Sequence, residues 1–267
     1  VLHIEGGDLT NGGAFDDNVR HSMTKLSHLH FPSNDNAVDV ILRLGEEPWR
    51  VCKVGLLPFS DYRTKDYADI DELTQSLGFE LQTNIVLFTL HSISSSLRQT
   101  AEEAAAAFSA IEKIAKRPET SVIVTYPNDD NGSEIIISYI EMLQRNNTDV
   151  LVFPSLGQRR YYGILNLQSL GFNVACMGNT SSIVKECVFF NVTGFLIGTR
   201  QDGRLTPANV KKVPANVGDI LASYDNKDVT TGIVDNPYLV IDGVDRALEH
   251  VRSNLRNPNI LRKKFIL

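Results

Sequence analysis

The sequence predicts an α/β protein built on a parallel sheet covered on both faces, and three observations lead there. Short apolar runs alternate with longer segments of helical periodicity along the whole chain. Several of those runs, such as "NIVLFTLH" and "TSVIVTYP", are continuously apolar, as strands buried on both faces are. The unusual polar clusters then follow the carboxyl ends of predicted strands, where open parallel sheets bind ligands.

Taken in order, "VLHIE" is a short strand followed by a Gly-rich loop. Phe15, Val19, Met23, Leu26 and Leu29 recur at spacings of three and four, which predicts a helix over 15–29 with one apolar face. "LHFP" is a second strand closed by Pro32, and residues 34–45 form a helix stopped by Gly45. "VCKVGLLP" (51–58) reads as a strand, with Pro58 and the polar residues after it as a linker. A new unit begins near Ile70 with the helix "IDELTQSLGF", then a strand over 84–91, the Ala-rich helix 97–117 and a strand over 120–127. A helix over 132–145, a strand over 149–155, a loop and a further helix lead to "NVACMGN" (173–179). A helix over 181–190, the strand 193–199 and helices near 216–223 and 243–256 complete the chain. The resulting domain split is 1–58 and 59–267. The chain starts at Val1, within a strand, so the expectation is that the true N-terminus is missing.

Composition narrows the function classes. The 267 residues suffice for one large domain or two smaller ones, with 42% hydrophobic and 22% charged residues typical of a globular protein. A net charge of −6 argues against nonspecific nucleic-acid binding. No apolar run reaches the roughly 20 residues of a membrane span. Three widely spaced cysteines, Cys52, Cys176 and Cys187, fit neither a disulfide framework nor a zinc pattern, so a cytoplasmic location is expected.

Four clusters carry the chemistry, each beside a plainer alternative. "HIEGGDLTNGGAFDDNVRHSMTKLSHLHF" gathers a Glu, three Asp and four His around Gly-Gly pairs. Asp16 and Asp17 suit the first turn of a helix, and Arg20 is placed to pair with Asp16 four residues before it. An acid held beside an arginine also suits proton transfer in catalysis, with Glu5 at the preceding strand end. The spacing of His3, His21, His28 and His30 matches no compact HExxH-type site, and no metal is expected. His91 ends an apolar strand, where it is either a hydrogen-bonded boundary residue or a ligand contact. "GNTSSIVKE" offers Thr180, Ser181 and Ser182 as N-cap hydroxyls, or as a phosphate site at a helix start. In "GTRQDGR", Arg200 and Arg204 are surface charges or clamps on an anion.

The opening run resembles the segment typical of hydrolysing UDP-N-acetylglucosamine 2-epimerases of sialic-acid and capsule pathways. The likeness continues through "VGLLPF", "TLHS", "YPNDDNG", "GNTSSIVKE" and "GTRQDGR", over nearly the whole chain. It implies two Rossmann-like domains of GT-B-like architecture with a nucleotide sugar between them, the first domain only partly present here. It implies that UDP-N-acetylglucosamine is converted to N-acetylmannosamine and UDP with no cofactor, in a protein that is commonly a dimer or tetramer. Glu5, Asp16, Arg20 and His91 match the catalytic positions. Asn128, Asp130, Thr180, Ser181, Glu186, Arg200 and Arg204 match substrate-binding positions. The pattern departs at Ser92, where Pro is common, and at Ile183, where a small residue is common. A UDP-sugar glycosyltransferase of the same architecture and an inactive nucleotide-sugar-binding module are the alternatives.

Overall fold

Residues 1–10, 14–59, 66–147, 150–227 and 235–266 are described by a computed structural model, the side chains of residues 14 and 15 excepted. Contacts divide the chain into two units. The first is Val1–Lys65 with Asp202–Leu205 and Asn236–Leu267; the second is Asp66–Gln201 with Thr206–Asp235.

In the first unit, β1 (Leu2–Ile4) pairs in parallel with β2 (Leu29–Phe31), His3 opposite His30. The intervening helix α1 (Ala14–Leu26) stops short of the predicted end, because Leu29 enters β2 and is buried. The stripe predicted to face a core is solvent-exposed at Val19, Met23 and Leu26. The side chain of Phe15 lies outside the described residues. What α1 turns inward is polar: Thr24 is fully buried, with its hydroxyl 3.2 Å from His3 Nδ1. α2 (Asp35–Arg43) starts where the Asn34 side chain accepts from the Ala37 amide, and it buries Ala37 and Ile41.

Residues 51–58 form no strand. Val51 makes a single bridge to His30, after which the Cys52 and Val54 amides donate to the His30 and Pro32 carbonyls. Gly55, at φ +69°, then turns the chain and the Leu56 amide donates to Tyr238. The predicted linker beyond Pro58 falls mainly on residues 60–65, outside those described.

Nor does everything after residue 58 belong with the second unit. Arg50 is fully buried and donates to Glu47 and to the carbonyls of His28, Asn259, Ile260 and Arg262, which binds the chain end into the first unit. Beside it the Glu46 carboxylate, with no solvent exposure, receives Lys25 (2.7 Å), Lys263 (2.7 Å) and His30 Nε2 (3.0 Å). Burial raises the Glu46 pKa, but those hydrogen bonds outweigh it and hold the carboxyl below its ordinary range. Lys263 also donates to the carbonyls of Thr24, Lys25 and Ser27, so the basic tail closes the end of α1. The C-terminal helix Gly243–Asn254 packs Ala247 and Val251 against Leu29, Phe31 and Val54.

The second unit holds the predicted parallel sheet, with strand order β5 (Val150–Phe153), β4 (Thr120–Thr125), β3 (Asn84–Thr89), β6 (Asn173–Gly178), β7 (Thr193–Ile197) and β8 (Val210–Val213), every pair parallel. In chain order it runs α3 (Ile70–Leu77), β3 (Asn84–Thr89), α4 (Leu97–Ala115), β4 (Thr120–Thr125), α5 (Ser133–Asn146) and β5 (Val150–Phe153). Then come α6 (Gly157–Asn166), β6 (Asn173–Gly178), α7 (Ser181–Lys185), β7 (Thr193–Ile197), β8 (Val210–Val213) and α8 (Val217–Asp225). The alanines of α4 let it lie close on the sheet, burying Ala104, Ala107, Ile111 and Ile114 against Val86, Phe88 and Val122. Full burial of one such isoleucine contributes about 1.5–3 kcal/mol. The helix predicted over 181–190 is shorter, a five-residue α7 followed by the 3-10 turn Cys187–Phe190 that ends at left-handed Asn191. β8 escapes an apolar-run reading because Lys211 and Lys212 occupy its middle, a charge pattern usual on an edge strand. Among the described residues no helix is long and apolar enough to cross a membrane.

Replacing Arg50 by Met should take one donor from Glu47 and one from each of four carbonyls. Urea unfolding should show a loss of about 3–5 kcal/mol. Proteolysis should release the 259–266 segment first. A wild-type midpoint would mean that Lys263 and apolar packing hold the tail without Arg50.

Candidate functional site

The connection order reverses between β3 and β6. From β3 the chain moves outward through β4 to β5, then returns to the other side of β3 for β6 to β8. Such a switch point opens a crevice beyond the strand ends, because the two following loops leave in opposite directions. The last rung there is Thr89 opposite Gly178. Gly178 sits at φ +129°, and a Cβ on it would fall 1.8 Å from the Thr89 carbonyl oxygen, so only glycine allows this approach.

Asn179 continues the join with its side chain. The His91 amide donates to Asn179 Oδ1 (2.7 Å), and Asn179 Nδ2 donates to the His91 carbonyl (2.9 Å). Gln201 Nε2 donates to the Asn179 carbonyl (2.8 Å), as does Arg200 Nη1 (3.3 Å), while Arg200 Nε donates to the Ser92 carbonyl (3.1 Å). Arg200 also lies 3.7 Å from Asp130. The His91 ring is buried, and its Nδ1 accepts from the Asn128 amide (3.0 Å). Burial, then the charge of Arg200, push its pKa down to about 4. At neutral pH the ring is therefore uncharged with its proton on Nε2, a hydrogen-bond donor rather than a base. Thr180 caps α7 with its hydroxyl 3.4 Å from the Ser182 amide, Ser181 is the first helical residue, and Glu186 closes the helix. Thr180, Ser181 and Glu186 are all half-buried.

In the first unit the Gly-rich loop is explained as far as residue 10; Gly12 and Gly13 lie outside the described residues. Glu5 directly follows β1 at φ +59°, a backbone region that costs a non-glycine residue roughly 1–2 kcal/mol. Gly7 follows at φ +86°, and a Cβ there would lie 2.2 Å from the Ala37 carbonyl oxygen. Arg20 pairs with Asp17 (2.6 Å) rather than with Asp16 and also donates to the Asp8 carbonyl (2.8 Å). Asp17 further accepts from the Thr10 amide (2.9 Å). Asp16 is exposed. Arg204 lies 3.3 Å from the buried Asp8 carboxylate, so the two arginines of "GTRQDGR" serve different units.

Of the residues expected at the site, His91, Asn128, Asp130, Thr180, Ser181, Glu186 and Arg200 belong to the second unit, and Glu5, Asp16, Arg20 and Arg204 to the first. Sequence reasoning missed Asn179, Gln201 and Asp8, although each stands inside a motif it quoted. Among the described residues no three His, Cys, Asp or Glu side chains are grouped to hold a metal.

These features define a parallel α/β protein with polar and cationic groups at a topological switch point. The chain belongs to the UDP-N-acetylglucosamine 2-epimerase family, whose model matches residues 1–250. It is 31% identical over 229 residues to a GDP/UDP-N,N'-diacetylbacillosamine 2-epimerase (hydrolyzing) of Campylobacter jejuni, covering 84% of this chain and 56% of that protein. It is 30% identical over 204 residues to a UDP-N-acetylglucosamine 2-epimerase of Neisseria meningitidis, covering 76% of this chain and 50% of that one. The chain therefore spans about half the length of these relatives. Its fold matches the Methanocaldococcus jannaschii UDP-GlcNAc 2-epimerase crystallised with UDP-GlcNAc and UDP, at a TM-score of 0.68 and 15% identity. That match covers 95% of this chain and 69% of the other.

Acid should destabilise the protein through its buried imidazoles. His30 and His91 both fall from the ordinary 6.5 to about 4, in each case mainly by burial. Between these values the unfolded chain binds protons that the folded chain refuses, so stability is full above about pH 6.5 and declines toward pH 4. Thermal melts from pH 7.5 to 4.5 should show this decline, and His91→Asn should lessen it, leaving the part due to His30. A melting temperature constant down to pH 5 would contradict the assignment.

Proposed function

We propose that this chain carries the nucleotide-binding and much of the proton-transfer machinery of a hydrolysing UDP-N-acetylglucosamine 2-epimerase. The reaction converts UDP-N-acetylglucosamine to N-acetylmannosamine and UDP. The observation that carries this reading is the switch-point cluster of the second unit, in a chain that matches the family model over residues 1–250. In this reading a carboxylate, Glu5 or Asp16, takes the proton from C2 of the sugar as the C1–oxygen bond breaks and UDP leaves with the bonding electrons. The resulting C1–C2 double bond is then hydrated. Water supplies hydroxide to C1, and a proton returns to C2 from the opposite face.

The leaving diphosphate needs donors that are already in place. His91 Nε2–H, the amides and hydroxyls at Thr180 and Ser181, and Arg200 are assigned that part. Asn128 and Asp130 shape the same rim, and Glu186 is assigned to the ribose hydroxyls. In the first unit Arg20 and Arg204 are assigned to contacts with the substrate, each steadied by an aspartate. No metal or nicotinamide enters these steps. The proposal extends to a cytoplasmic enzyme serving sialic-acid-type sugar synthesis, in keeping with three free cysteines. It also extends to a homo-oligomer, in keeping with the exposed Val19, Met23 and Leu26 on α1.

Asp16→Asn keeps size and hydrogen bonding but removes the base, so turnover should fall about 10²–10⁴-fold with UDP binding retained. The assay follows UDP release together with solvent deuterium entering C2, offered UDP-N-acetylglucosamine and the corresponding diacetylbacillosamine nucleotide. Asp17→Asn should instead loosen Arg20 and weaken substrate binding. Near-normal turnover in Asp16→Asn would reassign the acid. A wild-type chain that binds UDP without releasing it from either substrate would leave the binding-module reading.

A further inference from the structure

Glu103 is a buried acid of the second unit to which the reaction above gives no part. It lies on α4 with 7% exposure, and its carboxylate occupies the space where a side chain on Gly198 would begin. A Cβ built on Gly198 would fall 2.1 Å from Glu103 Oε2 and 2.5 Å from Cδ, and Gly198 has φ +74°. Any side chain at 198 would therefore expel the carboxylate. Gln99, one turn earlier on α4, donates from Nε2 to Glu103 Oε1 (2.8 Å) and to Thr199 Oγ1 (3.0 Å). Gln99 thus holds Thr199 of the loop that leaves β7 by a hydrogen bond, while Glu103 packs against Gly198, the residue before it. The next two residues are Arg200 and Gln201, which reach the Ser92 and Asn179 carbonyls.

A carboxylate withdrawn from water is costly unless polar contacts compensate it, and an apolar side chain of similar volume would fill the same gap without that cost. We propose that Glu103, together with Gln99, is a positioning residue: it fixes the 198–201 turn, and the turn aims Arg200 at the switch-point site. The identity of the bound anion as UDP rests on the functional reading above; the anchoring of the turn does not.

Two measurements on the same proteins keep those claims apart. The first is hydrogen–deuterium exchange of the peptide spanning 198–204, and the second is calorimetric affinity for UDP. Glu103→Ala should speed exchange in that peptide and weaken UDP binding on the order of 10–100-fold, the scale of a misplaced binding group. Glu103→Gln should behave in the same sense but less severely. The double variant Gln99→Glu/Glu103→Gln re-forms an amide–carboxylate pair with its direction reversed. It should recover both readouts in part, which lost packing alone would not allow. Wild-type exchange in Glu103→Ala would overturn the anchoring. Fast exchange with unchanged UDP affinity would overturn the link to the site. Absence of UDP binding by the wild-type protein would overturn the nucleotide reading, and the exchange data would still decide the anchor. If Glu103→Ala does not fold, the two volume-matched variants carry both measurements.

Discussion

The second unit depends on one side chain that does the work of a missing rung. β3 and β6 are hydrogen-bonded along their whole length, but beyond Thr89 and Gly178 the ladder ends and the polar backbone of His91 has no strand partner. Asn179 supplies a donor and an acceptor together, satisfying the amide and the carbonyl of the same residue. Leaving either group buried and unpaired would cost about 1–3 kcal/mol. With His91 fixed in this way, its ring can accept from Asn128 and present Nε2–H, and the Asn179 carbonyl becomes the anchor for Arg200 and Gln201. A preorganised set of donors follows from a glycine that permits close approach and an asparagine that replaces the ladder.

The first unit uses charge where the second uses packing. Its two strands are short and its main helix leaves an apolar stripe in solvent, so little of its stability comes from α1 packing. Arg50 and Glu46 compensate by binding backbone carbonyls and Lys263 from the chain end, which ties that segment to residues 1–59. Buried ion networks of this kind are costly to break one partner at a time. The acids and glycines of the opening run have the same logic. Gly7 lets the loop touch α2, Asp8 and Asp17 steady two arginines, and Glu5 is held in a strained backbone conformation at a strand end.

Much of this was legible in the sequence, and the limits have physical causes. The strands β3, β4 and β6 announce themselves because both faces are buried, and α4 because alanine and its periodicity agree. β8 was hidden by two lysines, and the 51–58 segment was misread because an apolar run can bond to a neighbouring segment at a few points without building a strand ladder. The placement of residues 236–267 was out of reach, since a carbonyl that accepts from Arg50 looks like any other carbonyl in a sequence. Among site residues, hydroxyls and charges drew attention in "GNTSS" and "GTRQDGR", whereas Asn179 and Gln201 act through backbone groups. Arg20 shows the same limit: its two candidate acids are adjacent, and only the rotation of α1 selects Asp17.

The most direct measurement is calorimetric titration of UDP into the protein and its Asn179→Ala variant, with hydrogen exchange at residues 89–92 recorded in parallel. The variant leaves the His91 amide and carbonyl without partners, so exchange there should rise and UDP affinity should fall about 10–100-fold. Unchanged UDP affinity in Asn179→Ala, with the sheet intact, would contradict the claim that this clasp builds the site.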